Sequence, residues 1–386
     1  FTVNKGLLKY MATQALVNPE LLAWARTRSG MSEGVLAKKI SVAPDKIHDW
    51  ELGNLKPTFR QAQNIARVTN TPFGYLFLSN PPIETLSIPD LRTVDGVQAE
   101  EISAELRDIV KQVTHKQDWY RDYLLSHRED HLPFVGKYNL LTPIRDVVNN
   151  IRETIDVGIP VKGSWDDYQR NLISGAEKAG ILVMRSGIVG NNTRRKLQVT
   201  EFRGFAISDE LAPLIFINSS DAPSARLFTL IHELAHIWLG SSGVSNGQYS
   251  HAKEEQFCNA VAGEFLVPKE SILNSWVEEE SLISNLTNIA SNFHVSKLVV
   301  ARRALDTQLI TKEMYTAFYK DELQAFRNKD GKGGDFYRTA GVKNSTMFSS
   351  AIITEALSGR MLLRDAGQLL GVAPHAIKTY ARKLAL

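Results

Sequence analysis

Ser224-Ala225-Arg226-Leu227-Phe228-Thr229-Leu230-Ile231-His232-Glu233-Leu234-Ala235-His236-Ile237-Trp238-Leu239 is the stretch on which the reading of this chain turns. No proline or glycine interrupts it, and apolar residues recur on nearly every side, so the periodicity predicts a buried helix. Such a helix has no inexpensive place for two imidazoles and a carboxylate. His232 and His236 stand four residues apart, which puts both rings on one face, one turn apart and close enough to share a metal ion; Glu233 falls to the flank. In zinc hydrolases of this design the histidines are ligands, and the adjacent carboxylate takes a proton from water whose pKa the metal lowers to about 7. The plainer explanation is a chance HExxH whose polar groups satisfy one another. That accident is expected in roughly one chain of this length in a hundred.

A catalytic zinc site needs a third protein ligand and an open position. Downstream, Lys253 to Leu266 reads as a helix closed by Pro268, and it offers Glu254, Glu255 and Glu264. Glu255 shares a face with Asn259 and Ala262, a stripe of small residues that suits close approach to another helix. Glu264 lies on another face, and Glu254 sits near the helix start, where a carboxylate often only meets the dipole. His251, in the preceding loop, is a further candidate and suits a transition-state hydrogen-bond donor equally well.

Outward from these helices the pattern is mainly α with a small β-sheet, an α+β arrangement. Gly180–Met184, Gly204–Ser208 and Leu214–Asn218 are β-rich runs bounded by turn residues, and a helix is expected over Leu282–Leu305. Residues 12–82 read as a five-helix domain: Glu20–Arg28, Glu33–Ile40, Pro44–Leu52, Thr58–Val68 and a last helix opened by Pro72. Prolines between Asn80 and Pro89 mark a stiff break, so 83–140 is assigned to a linker and helical segment, and 141–325 to the domain that carries the histidines. Lys329 to Gly334 is a second break before a C-terminal helical domain at 335–386, rich in basic residues near Lys378, Arg382 and Lys383. Three segments share one spacing of small and apolar residues: Ala37-x-x-Ile40-x-Val42-Ala43, Ala290-x-x-Phe293-x-Val295-Ser296 and Gly367-x-x-Leu370-x-Val372-Ala373. That spacing is how a helix-turn-helix elbow reads.

The 386 residues are 43% hydrophobic and 23% charged, an ordinary globular balance long enough for several domains. No apolar run approaches a membrane span, and Phe1 to Tyr10 lacks a signal-peptide layout, so a cytoplasmic protein without a membrane partner is expected. Cys258 is the only cysteine, which rules out an internal disulfide and thiolate-cluster sites and leaves histidine and carboxylate as metal ligands. A net charge of +3 leaves the partner open.

The combination of His232-Glu-Leu-Ala-His236, Glu255-Gln-Phe-Cys258-Asn259 and Phe265-Leu-Val-Pro268 resembles the ImmA/IrrE family of zinc metallopeptidases, over about residues 140–310. The resemblance implies Zn2+ held by His232, His236 and Glu255, with Glu233 as general base. Val261 and Gly263 depart from the family's frequent Phe and Ala, at packing positions only. The first domain resembles the lambda-repressor-like (XRE) helix-turn-helix family through Leu36-Ala37-Lys38-Lys39-Ile40, Ile47-His48-Asp49-Trp50-Glu51-Leu52-Gly53 and Lys56-Pro57. That resemblance implies double-stranded DNA as a partner, read from the third helix, where Pro44, Asp45, Lys46, His48 and Asp49 would be exposed. Lys38, Lys46, His48 and Lys56 are the named contacts, with Arg26, Arg28, Lys39 and Arg60 as further basic residues. Asp45 and Asp49 are unfavourable beside phosphates. Such fusions imply a regulator that cleaves a repressor-type protein, and helix-turn-helix proteins of this type imply a homodimer on DNA. The alternative is a DNA-binding antitoxin, paired with a toxin, whose peptidase-like domain is a scaffold.

Overall fold

The computed structural model describes residues 13–82, 102–160, 164–245, 252–327 and 343–384. His251, the proline-rich stretch from 83, and Lys329–Gly334 lie outside the described residues. The described residues fall into two compact units, one taking in 13–82 and 102–108, the other running from 109 onward. The described residues are mainly helical with one small sheet, and no described helix is long and apolar enough to cross a membrane.

In the first unit, capping chemistry sets the helix starts. Asn18 accepts the Glu20 amide at 3.0 Å to open α1 Pro19–Arg28, and Ser32 accepts the Val35 amide to open α2 Glu33–Ile40. Helix α3 Pro44–Glu51 begins on its proline, and Thr58 and Gln61 form a reciprocal capping box on α4 Phe59–Val68. Leu22, Leu36, Ile47, Trp50, Ile65 and Leu76 close on one core. The fifth helix expected from Pro72 is a short 3-10 turn, Phe73–Phe77. Its rings hold it there, since Phe73 packs edge-on to Phe59 and Phe77, both at 5.1 Å.

Two of the basic residues offered for phosphate contact are tied down inside this unit. Arg26 grips Glu51 through two nitrogens, at 2.7 and 2.8 Å, and Arg28 pairs with Asp108 at 2.6 Å. Lys38, Lys46, His48 and Lys56 are exposed, with His48 3.4 Å from Glu33.

In the second unit, the part of α5 Ala104–Ser126 from Ile109 on, α6 Ile144–Ile155 and α7 Trp165–Lys178 precede the sheet. Its strands β1 Leu182–Ser186, β2 Gly204–Ile207, β3 Leu214–Asn218 and β4 Gly243–Ser245 lie in the order β1-β3-β2-β4. Strand β1 runs parallel to β3, and β2 pairs antiparallel with both β3 and β4. The first strand starts two residues later than expected because Gly180, at φ +99°, belongs to the turn that leaves α7. Strand β4 is too short to register as a periodicity.

Helix α8 Pro223–Leu239 packs on β2 and β3 and on α9 Ala252–Leu266. Leu230, Ile231, Leu234, Ala235, Ile237 and Trp238 are all fully buried, as its all-round apolar character requires. The helix stops at Gly240, φ +72°, and the backbone of Gly136 and Tyr138 donates to the last carbonyls, Ile237 and Trp238, at 3.0 Å each. The Trp238 indole donates to Asn150 on α6 at 2.9 Å.

Beyond α9 come α10 Lys269–Ser275, α11 Leu282–Asn292, α12 Lys297–Asp306 and α13 Lys312–Arg327. The helix expected over Leu282–Leu305 is thus two, divided where His294 takes φ +52° and Ser296 caps α12. The division is the second of the three repeated elbows. In each, one residue turns left-handed (Ser41, His294 and Gly371, φ 60°, 52° and 70°) and the next valine amide reaches back to the opening small residue at 3.0, 3.0 and 2.9 Å.

The C-terminal helices α14 Thr346–Leu357, α15 Leu363–Leu370 and α16 Ile377–Lys383, with a 3-10 turn Pro374–Ala376, close on Phe348, Ile352, Leu370 and Ile377. They dock on α5 and α7. Phe348 meets Trp119 edge-on at 5.8 Å, Lys116 donates to Asn344 at 2.7 Å, and Glu177 accepts the Thr346 amide at 2.9 Å.

Candidate metal centre

Helices α8 and α9 bring three of the sequence-selected residues to one point. His232 Nε2 and His236 Nε2 are 3.1 Å apart, and Glu255 reaches them with separate oxygens, at 3.3 and 3.2 Å. The ligand atoms of His232, His236 and Glu255 lie within 4.8 Å of one another. His232 and His236 are 4% and 3% exposed, so the donors face each other inside the fold rather than across a hydrated surface.

Each ring is aimed by a bond on its far nitrogen. Nδ1 of His232 lies 3.2 Å from Asn259 Oδ1, and Nδ1 of His236 lies 3.0 Å from Ser241 Oγ and 3.2 Å from Glu254 Oε1. With the proton on Nδ1 donated to these oxygens, each Nε2 would be free to bind an ion beside Glu255, the tautomer a metal ligand needs. The donor chemistry fits a zinc ion: two imidazoles and one carboxylate converging, with the outer bonds already made.

This arrangement decides among the carboxylates. Glu255 faces both rings, Glu254 serves one of them from behind, and Glu264 is occupied elsewhere, bonded to Arg303. Asn259 was legible as a small residue on the Glu255 face and as the end of the Glu255–Asn259 motif, but not as a partner of His232. Ser241 carried no signal, because its place follows from the left-handed turn at Gly240.

Burial works against ionisation of Glu255, yet the two imidazoles that hydrogen-bond it hold its carboxyl down at about 2. Burial also opposes the charged form of His236, but bonds to Cys258, Glu254 and Glu255 raise it well above the ordinary histidine value. Without metal, the protonated form of His236 is therefore favoured beyond its ordinary range. A metal ligand must be neutral, so zinc uptake at pH 7 is expected to release a proton, and zinc affinity to rise with pH. Calorimetry in two buffers of different ionisation enthalpy checks this; equal heats would contradict it.

Glu233 is fully buried. Its Oε1 lies against strand β2, 2.9 Å from where a Cβ on Gly204 would stand. That position can only be a glycine if the carboxylate is to stay where it is.

Residues 176–305 match the family model of the IrrE N-terminal-like domain, Peptidase_M78. This stretch is metallopeptidase-like, and it contains His232, Glu233, His236 and Glu255. It takes in the last residues of α7, the sheet and α8 to α12 as far as Leu305, within the 140–310 over which the sequence resemblance was read. Residues 344–383 match a domain of unknown function, DUF8813. No curated protein and no solved structure matches the chain.

In the peptidase-like domain the outer bonds make a test of their own. Asn259→Ala should weaken zinc binding about 10- to 100-fold, the usual cost of losing a partner that orients a ligand, with little change in thermal stability. Competition with a chromophoric chelator reads this; unchanged affinity would show that Asn259 does not aim His232.

Proposed function

We propose that the chain is a transcription regulator with a zinc-dependent endopeptidase activity, and that its substrate is a partner repressor or regulator protein. The observation that supports it most is the convergence of His232, His236 and Glu255 on one point, with Glu233 beside them on the same helix. The chemistry such an ion supplies when bound is activation of water and polarisation of a carbonyl. Glu233 accepts the proton of the attacking water and passes it to the leaving amine, a role that suits a carboxylate held in a buried pocket next to a ligand. Asn259, Glu254 and Ser241 hold the imidazoles in register throughout.

The N-terminal unit takes the part of a DNA-docking domain of the helix-turn-helix kind, cytoplasmic and a homodimer on two half-sites. Lys38, Lys46, His48 and Lys56, all exposed along α2, α3 and the loop after it, support that reading. Arg26 and Arg28 stabilise the unit instead.

The experiment is incubation of the zinc-loaded protein with the product of the neighbouring gene, followed by mass spectrometry of the fragments. Cleavage by the parent and none by Glu233→Gln supports a protease. An intact partner with both proteins, while DNA binding persists, would leave a regulator in which the peptidase-like domain is a scaffold.

A further inference from the structure

The first and third elbows are alike well beyond their turns. Val42-Ala43-Pro44-x-x-Ile47-x-x-Trp50 recurs as Val372-Ala373-Pro374-x-x-Ile377-x-x-Tyr380. Ile47 and Trp50 turn into one core, and Ile377 and Tyr380 are likewise buried in the other. A helix that spends the same two positions on packing presents the same remaining positions outward. The second elbow differs, because it leads into α12, whose Val299, Val300, Ala301 and Ala304 are buried. The exposed polar residues of α12 include Arg302 and Asp306, which pair with each other at 3.1 Å.

The faces of the first and third elbows differ in charge. The first mixes signs, with Asp45, Lys46, His48 and Asp49, whereas the third has His375, Lys378 and Thr379, each of these three exposed, and Arg382 follows where the first has Leu52. Residues 374–383 include no Asp or Glu. The two acids of residues 344–383 are already matched, Glu355 by Arg360 at 2.6 Å and Asp365 by Arg364 at 3.1 Å. Duplex DNA, a dense line of phosphates, is the partner such a face suits.

A second basic segment is anchored beside the same turn. Asn191 donates to the Gly371 carbonyl at 2.8 Å, and Lys343 donates to Asn191 and the Gly190 carbonyl at 3.0 and 2.9 Å. Asn191 opens the loop Asn191-Asn192-Thr193-Arg194-Arg195-Lys196, in which Arg194 and Lys196 are exposed.

We infer that residues 344–383 are a double-stranded-DNA-binding module separate from the N-terminal unit. The outward face of Pro374–Lys383 enters the major groove, and the 191–196 loop supplies flanking phosphate contacts. His375, Lys378 and Thr379, at the start of the helix, are the base-reading positions, and Arg382 meets the backbone. The inference is independent of the zinc reading and of DNA binding by the first unit.

Fluorescence anisotropy of the full chain with a fluorescein-labelled 30-base-pair mixed-sequence duplex, across about 50 to 200 mM salt, tests it. Lys378→Ala with Arg382→Ala should weaken binding about tenfold and lower the slope of log affinity against log salt by about two. Arg194→Ala with Lys196→Ala should lower the slope similarly. Lys378→Arg with Arg382→Lys should keep it, which separates charge from folding. Parental affinity and slope in the Lys378/Arg382 alanine pair would overturn the inference. So would loss confined to Lys38→Ala with Lys46→Ala, which would place duplex binding in the N-terminal unit alone, or displacement of the duplex by equal single-stranded RNA.

Discussion

His232→Ala and Glu255→Ala should each lose bound zinc, and Glu233→Gln should keep it while losing turnover. The first two remove one of three converging donors, and the two that remain cannot complete a tetrahedral site with the geometry zinc prefers. The loss should exceed the roughly 10- to 100-fold that follows removal of an orienting partner. Dialysis against a weak chelator followed by elemental analysis should find metal near stoichiometric in the parent and near zero in both variants. Glutamine at 233 keeps the shape of the carboxylate but cannot accept a proton. General-base loss costs about 10²- to 10⁴-fold in rate, so cleavage should fall by that amount at unchanged zinc content. Full zinc retention in both ligand variants would sink the metal centre itself. Retained cleavage in Glu233→Gln would leave the metal centre standing and remove Glu233 from its role.

Gly204→Ala should damage stability and turnover together without touching a ligand. A Cβ at 204 would stand 2.6 Å from Thr229 Cγ2, 2.9 Å from Glu233 Oε1 and 2.9 Å from the Phe216 carbonyl oxygen. The carbonyl belongs to the adjacent strand β3 and cannot yield without opening the sheet, so the strand and the carboxylate must shift. Overpacking of this kind costs about 1–3 kcal/mol, which in a unit of this size is a drop of several degrees in Tm. Zinc content should hold, because the three atoms nearest the added Cβ belong to Thr229, Glu233 and Phe216 and to no ligand, while turnover falls as Glu233 is displaced. Adding Thr229→Ser removes the methyl that clashes and should recover part of the stability but little of the turnover. A variant that melts and cleaves like the parent would show that the carboxylate has room to move.

Helix α8 was legible because everything needed to place it is local. Its apolar character, the fourfold spacing of His232 and His236, and the Gly240 stop follow from consecutive residues. The same holds for the helices read at Glu20–Arg28, Glu33–Ile40 and Thr58–Val68, each found within one residue of its expected start, and for strand β3, whose bounds Leu214–Asn218 match the expectation. Where an expectation missed, two local signals competed. The run Leu282–Leu305 has helical periodicity throughout, yet the elbow spacing at Ala290 to Ser296 also lies within it, and the turn prevails because Phe293 and Val295 pack beneath it. Charge on the first unit was legible as composition but not as availability, since only folding brings Arg26 to Glu51 and Arg28 to Asp108.

The HExxH pair, by itself, determined the face, spacing and chemistry of a metal site, because the pitch of an α-helix turns sequence distance directly into geometry. The rest of that site depended on how α9 is rotated about its axis when it packs on α8, which no spacing within either helix encodes. That rotation points Glu255 at both rings, sends Glu254 and Asn259 behind them and leaves Glu264 to Arg303. The place of Glu233 was likewise decided by tertiary contact, through a strand that comes close enough to it only because residue 204 has no side chain.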